Sequence, residues 1–430
     1  MEFNTVPGVR GRIPAHLPDR LTISFPIWGL MDTAPDGAYH DPDRMVREHK
    51  ERGFNCIRLE GGAGLTHDLN GNRLPPANIL APFGPYSDNR QAFCIGGEGK
   101  CDYLQRLIDL CRACQKYDVY LILSSWFFLH TYWYCDNETD GRLFSIGPDN
   151  WFLAFAKFLH YILCELEARH LDDRIAAAEI FNEVCDLPHH WAQYTPYTTD
   201  TIWTFFREKH EEALAFLRQA HPGILFSCDD TPRGSTMCLL PRNMQCFNGH
   251  NYFLWDVYGG ALEKGSEPTP TGRGDFFRGE VTLEDVARSR EGRWRGSETD
   301  WIPRLQYCHD VDPEKIPAME AFLEARLNAG WDGYVRNLEN RIYWYRRVME
   351  DHPDIPVMCG EGVTYCSSKR VLWEEKSERY WDMVRLAMDR YRDTGLWGTV
   401  VKTCCGPEDP CWDLCRDRLL ALNTRFLRGR

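Results

Sequence analysis

The stretch Ile175-Ala-Ala-Ala-Glu-Ile-Phe-Asn-Glu-Val184 is a short apolar run that ends in an amide and a carboxylate. Runs of this length and nearly continuous apolar character are typical of strands buried on both faces of a parallel sheet. A carboxylate at the point where such a strand surfaces costs stability unless it is paired or used. The stretch therefore predicts a buried parallel strand with a functional residue at its end.

The same pattern recurs seven more times along the chain, at 21–30, 54–60, 119–126, 224–229, 244–252, 355–361 and 397–404. Segments with helical spacing separate most of these runs, at 42–52, 101–117, 149–169, 199–220, 314–350 (in two pieces), 375–393 and 409–427. Strands that alternate with helices in this way predict an α/β fold, the (β/α)8 TIM barrel. A doubly wound open sheet is the alternative, but no glycine-rich phosphate loop follows an early strand.

We expect residues 1–430 to form a single barrel domain, since such barrels often exceed the usual domain size. Long βα loops, at 61–100, 127–148 and 253–313, follow strand ends and would lie at the C-terminal face, where barrels build their active sites. The insertion 253–313 after the sixth strand is the longest. It is interpreted either as a lid or wall of the active site, or as a solvent-exposed loop without a role in the site.

The charge balance of 50 basic and 63 acidic residues, a net charge of −13, argues against nucleic acid or an anionic membrane as a partner. The first ten residues lack the pattern of a signal peptide, and no stretch approaches the roughly 18 apolar residues of a membrane span. The 18 cysteines are then expected to be free thiols. We therefore expect a soluble, cytoplasmic protein.

Polar side chains end several of the predicted strands and would meet at one rim of a barrel: Arg58, Asn182, Glu183, His250, Tyr252 and Glu361. The two glutamates, Glu183 and Glu361, suggest acid/base and nucleophilic work on a glycosidic bond. A structural ion pair between Glu361 and Arg58 that closes the rim is the alternative. Glu179 is interpreted as a paired interior carboxylate, and Glu60 as a substrate contact or an arginine partner.

Four motifs carry a resemblance to a known family: Phe54-Asn-Cys-Ile-Arg58, Phe181-Asn-Glu183, Gly249-His-Asn-Tyr252 and Gly360-Glu361. Their order and strand positions resemble those of the clan A (β/α)8 glycoside hydrolases, most of all the cellulase-like family 5, over roughly residues 20–410. The resemblance implies that Glu183 is the general acid/base and that Glu361 is the nucleophile, kept ionised by Arg58 and Tyr252. It also implies that Asn182 binds the sugar 2-hydroxyl, that His250 lines the same subsite, and that the reaction retains configuration with carboxylates about 5–5.5 Å apart.

Two strand ends depart from the family pattern. The third ends in Ser124-Ser-Trp126, where the family often has a histidine, and the eighth ends in Lys402-Thr-Cys-Cys405, where a tryptophan platform is common. Trp126, or an aromatic residue within 127–134, is expected to stack on the sugar instead. These departures leave the preferred sugar open.

The sequence predicts no metal site and no cofactor. Cys404, Cys405, Cys411 and Cys415 cluster near the C-terminus but lack the paired Cys-x-x-Cys spacing of a structural zinc site, and no His-Glu-x-x-His motif is present. The predicted function is a retaining β-glycosidase that trims short oligosaccharides or small glycosides from one end. A non-catalytic sugar-binding barrel and a transglycosylase with the same glutamate pair are the alternatives. The oligomeric state is not predicted.

Overall fold

The computed structural model describes residues 1–80, 97–126, 135, 145–184, 196–230, 237, 240–257, 276, 311–364 and 369–428. Eight strands in these ranges form a closed parallel barrel, in which sequence neighbours pair and the eighth strand pairs with the first. They are β1 (Leu21–Ser24), β2 (Cys56–Glu60), β3 (Tyr120–Ser124), β4 (Ile175–Glu179), β5 (Phe226–Asp230), β6 (Cys246–Asn251), β7 (Val357–Gly362) and β8 (Gly398–Val400). The predicted α/β barrel is confirmed, and the open sheet is wrong.

Burial explains why the eight predicted strand segments are apolar. Every residue of the eight strands is buried, because the barrel interior covers one face and the helices cover the other. The predicted runs are longer than the strands themselves. After β1, for example, Phe25 and Ile27 stay in the core while the chain leaves the sheet and forms a 3-10 helix over Gly29–Met31.

The helices in the described ranges are α1 (Pro42–Glu51), α2 (Tyr103–Tyr117), α3 (Pro148–Glu167), α4 (Thr199–Ala220), α5 (Ile316–Asp351), α6 (Trp373–Lys376), α7 (Glu378–Thr394), α8 (Cys411–Leu414) and α9 (Arg416–Arg428). The prediction of two pieces over 314–350 is wrong, because α5 is one helix of 36 residues. Conversely, 409–427 divides into α8 and α9, with Cys415 between them outside helical geometry.

The predicted helix boundaries rest on caps that the structure contains. The side chain of Asp41 accepts a hydrogen bond from the Arg44 amide at the start of α1, with Pro42 at the first helical position. Helix α7 ends at Gly395, whose φ of 96° is the left-handed conformation that glycine adopts without steric cost. These capping residues define where α1 begins and where α7 ends.

Smaller features complete the described chain. Two-stranded antiparallel sheets join Phe3–Asn4 to Ile13–Pro14 and Ala77–Ile79 to Gly99–Cys101. No helix of the described ranges is both long and apolar enough to cross a bilayer. The insertion 253–313 lies outside the described residues except for 253–257, 276 and 311–313, so its role stays a prediction.

Candidate active site

Arg58 on β2 is the centre of a buried charge cluster and is 0% exposed. Its Nη1 donates to Glu361 Oε1 at 2.6 Å, while Nε and Nη2 donate to Glu179 Oε2 at 3.1 and 2.9 Å. Nη2 also donates to Asn182 Oδ1 at 2.7 Å and to the carboxylate of Asp229. Burial disfavours the charged guanidinium, but the carboxylates around it raise the pKa of Arg58 above its ordinary value. One cation therefore holds residues from four strand ends together.

Glu361, near the end of β7, accepts hydrogen bonds at both carboxylate oxygens. Oε1 receives Arg58, and Oε2 receives the hydroxyl of Tyr252. Burial nevertheless raises the pKa of Glu361 above its ordinary value, although His250 and Arg58 act in the opposite direction. This direction opposes the expectation that its donors keep the carboxylate readily ionised.

Glu183 lies four residues beyond β4 and has a φ of 53°, which is uncommon for a residue with a side chain. Its backbone N–H donates to Asp229 Oδ1 at 2.9 Å, so the neighbouring strand end fixes this turn. A carboxylate oxygen of Glu183, one of Glu361 and a ring nitrogen of His250 all lie within 4.8 Å of one another. The structure thus brings together the two glutamates that 178 positions separate in the sequence.

His250 on β6 lies between three carboxylates. Its Nδ1 is 3.1 Å from Glu183 Oε1, and its Nε2 is 3.0 Å from Asp229 Oδ2 and 3.4 Å from Glu361 Oε1. Burial disfavours protonation, but the carboxylates of Asp229 and Glu361 raise the pKa of His250 well above its ordinary value. Both ring nitrogens face carboxylate oxygens, and this arrangement favours the imidazolium form, which can donate to each side.

Asp229 is the site residue that the sequence reasoning missed. It is fully buried at the end of β5, where it accepts from Arg58, His250, Asn248 and the backbone of Glu183. Burial opposes its ionisation, but His250 and Arg58 hold its pKa below the ordinary value. The signal was present in the sequence, because Asp229 closes the apolar run 224–229 as Glu183 closes 175–184.

Two further glutamates have structural partners. Glu179 is a paired interior carboxylate, as predicted, and its partner is Arg58. It also accepts from Asn248 Nδ2 at 2.8 Å, and burial raises its pKa to about 7. Glu60 accepts the backbone amides of Gly62 at 3.0 Å and Trp126 at 2.9 Å. Glu60 therefore binds the backbone of two turns at the barrel mouth. These two contacts belong neither to a substrate-binding role nor to a pairing with an arginine.

Trp126 is 2% exposed and covers one face of the Arg58 guanidinium, with 4.7 Å between the guanidinium carbon and the ring centroid. Phe25 lies 4.9 Å from the same carbon. This geometry is a cation–π contact that shields the charge cluster. The expected stacking of Trp126 on a sugar stays a prediction, and the aromatic segment 127–134 lies outside the described residues.

Backbone geometry at the mouth is unusual at three strand ends. Glu183 follows β4, Val363 follows β7 with φ 72°, and Cys404 follows β8 with φ 59°. A positive φ costs most for a β-branched residue such as Val363, and such conformations cluster at functional sites. The mouth therefore carries local strain that the surrounding barrel holds in place.

A cavity of 420 Å³ adjoins Tyr252 and is lined by two tryptophans and several polar side chains. The lining residues come from the chain after β6 and from one face of α5: Tyr252, Phe253, Trp255, Asp256, Asn337, Asn340, Arg341 and Trp344. Flat aromatic rings together with amide and guanidinium donors suit a sugar, which has apolar faces and a polar edge.

No protein-family model and no curated protein sequence matches this chain. Among solved structures it is similar to a protein of Parabacteroides distasonis whose assignment as a glycoside hydrolase is provisional, with 16% identity, a TM-score of 0.58 and coverage of 96% of this chain and 94% of that chain. The two share the barrel fold.

Two further structures overlap the chain with lower TM-scores. A family 5 mannosidase of Rhizomucor miehei is 11% identical, with a TM-score of 0.47 over 100% of this chain and 99% of that chain. An endoglucanase of Pseudomonas stutzeri is 10% identical, with a TM-score of 0.45 over 94% of this chain and 96% of that chain. The resemblance inferred from the motifs holds at the level of the fold, through the barrel shared with the Parabacteroides distasonis protein.

Proposed function

We propose that this protein is a retaining glycoside hydrolase that cleaves β-glycosidic bonds, with Glu183 as acid/base and Glu361 as nucleophile. The observation that carries the proposal is the approach of their carboxylate oxygens to within 4.8 Å at the barrel mouth. An inverting pair needs about 6.5–9.5 Å between carboxyl groups to admit a water molecule, whereas a retaining pair lies about 5–5.5 Å apart. The 4.8 Å is a limit on the distance between one oxygen of each carboxylate, and an approach this close fits a retaining pair better than an inverting pair.

In the first step, a Glu361 oxygen attacks the anomeric carbon while Glu183 donates its proton to the departing glycosidic oxygen. The bond to the leaving group breaks as the glycosyl–Glu361 ester forms. Arg58 and Tyr252 hold the attacking carboxylate in a fixed orientation, since each donates to a different oxygen. In the second step, Glu183 removes a proton from water, and the resulting attack breaks the ester and restores Glu361.

Asn182 and His250 assist the same sugar in this proposal. The Asn182 carbonyl is engaged by Arg58, and its backbone N–H donates to Ser125 O at 2.9 Å, so the amide group is held in one orientation toward a sugar 2-hydroxyl. His250 contacts both catalytic carboxylates and keeps a positive charge between them. That charge offsets the cost of placing two acidic groups close together.

Short oligosaccharides or small glycosides are the proposed substrates. The cavity of 420 Å³ beside Tyr252 falls within the range of about 300–1,000 Å³ that is typical of small-molecule sites. Its Trp255 and Trp344 provide stacking surfaces. Release of single terminal units from a defined oligosaccharide, without internal cleavage of a soluble polysaccharide, would support this part of the proposal; internal cleavage would overturn it.

The central experiment is trapping with activated 2-fluoro glycosides of the gluco, manno, galacto and xylo series, followed by mass spectrometry of the labelled peptide. We expect stoichiometric labelling of Glu361 by one series, and no labelling of Glu361→Gln. NMR of the first product should show the β anomer. A label on another residue, or an inverted product, would contradict the assignment.

The same assays separate the alternatives. Products that extend an added sugar acceptor at the expense of hydrolysis would identify a transglycosylase. Saturable sugar binding with neither labelling nor turnover of aryl glycosides in any series would identify a non-catalytic sugar-binding barrel. Glu183→Gln is the variant that tests the acid role beside Glu361→Gln. Loss of a general acid should lower turnover by about 10²–10⁴-fold, whereas cleavage of a leaving group that needs no proton should be spared.

A further inference from the structure

Two histidines and a cysteine lie together in the outer helix layer. His160 and Cys164 are one helical turn apart on α3, and His221 directly follows α4, the helix that packs against α3. His160 Nδ1 is 2.8 Å from His221 Nε2, and Cys164 Sγ is 3.7 Å from His160 Nδ1. One ligand atom of each residue lies within 4.8 Å of the other two.

We propose that His160, Cys164 and His221 bind a divalent transition-metal ion of the zinc type. Imidazole nitrogen and thiolate sulfur are the donors that zinc prefers, and spacing of four residues places His160 and Cys164 on the same face of α3. The three protein donors leave a fourth position for water on the exposed side of the cluster. This site does not depend on the proposed glycosidase activity.

Glu167 orients the buried member of the set. Its Oε1 accepts from His221 Nδ1 at 2.6 Å, so the lone pair of His221 lies on Nε2, which faces His160. A carboxylate that accepts from the non-ligating nitrogen of a histidine is the usual outer partner of a metal-binding imidazole. The helix already provides this partner, because Glu167 and His160 belong to the same element.

Two of the three donor–donor distances are close to those around a tetrahedral ion, and the third, between Cys164 Sγ and a ring nitrogen of His221, lies within 4.8 Å. Bonds of about 2.0–2.1 Å to nitrogen and about 2.3 Å to sulfur place two nitrogens roughly 3.3 Å apart and a nitrogen and a sulfur roughly 3.6 Å apart. The observed 2.8 and 3.7 Å therefore require shifts of about half an ångström at the nitrogen pair. Cys164 is exposed and His160 is half-buried, so both side chains have room to move.

Two other clusters with suitable donors lie in the part of the chain that the structure describes, and both are already occupied by cations of the protein. In the Glu183, His250 and Glu361 group, both nitrogens of His250 face carboxylates and Arg58 contacts Glu361. In the Glu375, Asp409 and Cys411 group, Lys402 lies 3.1 Å from Asp409. The His160 group contains no such ammonium or guanidinium contact among its described hydrogen bonds and ion pairs.

Metal binding here has a defined proton balance. Without metal, the His160 Nδ1–H donates to His221 Nε2. On binding, His160 carries its proton on Nε2 instead, and the Cys164 thiol loses its proton to become a thiolate ligand. One proton is therefore released for each ion bound.

The site lies on the face of the barrel opposite the catalytic pair. The C-terminal ends of α3 and α4 lead into the beginnings of β4 and β5, whereas the catalytic residues follow the ends of the strands. A bound ion would link the two helix ends, and we expect it to raise the thermal midpoint by binding only the folded chain.

The test uses the reduced full-length protein and the metal ions alone. Titration with Co²⁺ should give one equivalent of a tetrahedral spectrum with a thiolate-to-cobalt charge-transfer band. Calorimetry with Zn²⁺ in two buffers of different ionisation enthalpy should give one ion and about one released proton. We expect Cys164→Ser to abolish the charge-transfer band, His160→Gln to weaken binding at least tenfold, and Glu167→Gln to weaken it about 10-fold.

His170→Asn is the control, because His170 is exposed, follows the same helix and has a φ of 56° that asparagine tolerates. It should bind as the wild type does, as should Glu361→Gln, which separates this site from the catalytic pair. Failure of the wild-type chain to bind one equivalent would overturn the proposal. A charge-transfer band that survives Cys164→Ser would overturn it as well.

Discussion

Arg58 shows how a single residue sets the chemistry of this barrel. Three carboxylates surround one buried guanidinium, and Trp126 covers one of its faces. The rigid fork of an arginine can hold several acceptors at fixed angles, which a lysine cannot. Glu361 is therefore oriented by a group that is itself fixed by Glu179 and Asp229. The position of the proposed nucleophile depends on residues that are themselves fully buried.

Tyr252→Phe tests the hydrogen bond to Glu361. Its hydroxyl stabilises the ionised carboxylate, so its loss should raise the already raised pKa of Glu361 further. Because attack requires the ionised form, activity is lost as the pH falls through this pKa. We expect the acid limb of kcat/KM to move about one to two pH units higher, since a hydrogen bond to a charged group contributes about 1.5–3 kcal/mol.

The pH profile of kcat/KM is the measurement, and Tyr343→Phe is the control because Tyr343 is 54% exposed on α5. An acid limb that stays in place in Tyr252→Phe, or moves to lower pH, would show that the hydroxyl does not stabilise the ionised carboxylate.

At the level of residues, the sequence predicted which side chains meet but not how they are arranged. Arg58, His250 and Glu361 belong to strands, so alternation along the strand locates them. Glu183 lies beyond its strand in a left-handed conformation, which no periodicity predicts. Asp229 was missed because two adjacent aspartates after an apolar run, Asp229 and Asp230, match none of the four motifs of the resemblance, whereas Asn182 accompanies Glu183.

At the level of elements, the packing of β6 against β7 and against α5 requires glycine. A Cβ on Gly360 would lie 2.2 Å from Asn248 Oδ1, and one on Gly249 would lie 2.3 Å from the ring of Tyr345. Asn248 cannot move freely, because its amide nitrogen donates to Glu179 and Asp229. The glycines before His250 and Glu361 therefore allow the close packing that positions these two residues.

Gly360→Ala should destabilise the fold by about 1–3 kcal/mol, the usual cost of overpacking a buried site. Urea denaturation measures the change in the free energy of unfolding. The matched control is Gly223→Ala, where a Cβ would meet nothing within 4 Å and the change should stay within about 0.5 kcal/mol. Equal effects of the two substitutions would refute the packing explanation.

Lys402→Met tests the ion cluster after β8. Lys402 contacts Glu374 before α7 and lies 3.1 Å from Asp409 before α8, and all three side chains are at most 2% exposed. Removal of one member of a buried ion pair typically costs about 3–5 kcal/mol. We expect a loss of this size near neutral pH and a smaller loss in acid, where the carboxylates can bind protons.

Lys376→Met is the comparison, because Lys376 is 59% exposed beside Glu320 and such surface pairs contribute about 0–1 kcal/mol. Equal losses in the two variants, measured by urea denaturation, would show that Lys402 is not a structural partner of its two carboxylates. At this strand end, where the resemblance implies a tryptophan, the structure has a buried cation instead.

The described helices were predicted with less accuracy than the strands. The eight strands could be predicted because a strand that is buried on both faces has a continuous apolar sequence. Helix α5 was expected in two pieces, yet it continues for 36 residues, since a solvated helix face gives no signal of continuity. Short breaks such as Ser377 and Cys415 depend on caps and local turns that span only a few residues.

For the whole molecule, the buried charges make stability depend on pH. Glu179 has a pKa of about 7 in the folded protein against an ordinary 4.5, so the folded state binds its proton more tightly than the unfolded state does. This contribution to stability is complete below about pH 4.5 and is lost as the pH rises through 7. Glu179→Gln should therefore lose less stability than the wild type between about pH 5 and pH 8.

We expect that difference to be on the order of 1–3 kcal/mol, measured by denaturation across the pH range. Glu378→Gln removes the same charge from a side chain that is 80% exposed and should follow the wild-type curve. A Glu179→Gln curve parallel to that of the wild type would show that this carboxylate does not titrate in the range.

The order of the strands around the barrel has a last consequence. Arg58, Asn182 and Glu183 come from the first half of the chain, whereas Asp229, His250, Tyr252 and Glu361 come from the second. Neither half contains both members of the proposed catalytic pair. Turnover would then require that β4 has paired with β5 and that β8 has paired with β1. Two halves made as separate polypeptides would be inert alone, and the recovery of turnover on mixing them would report the assembly of the complete ring.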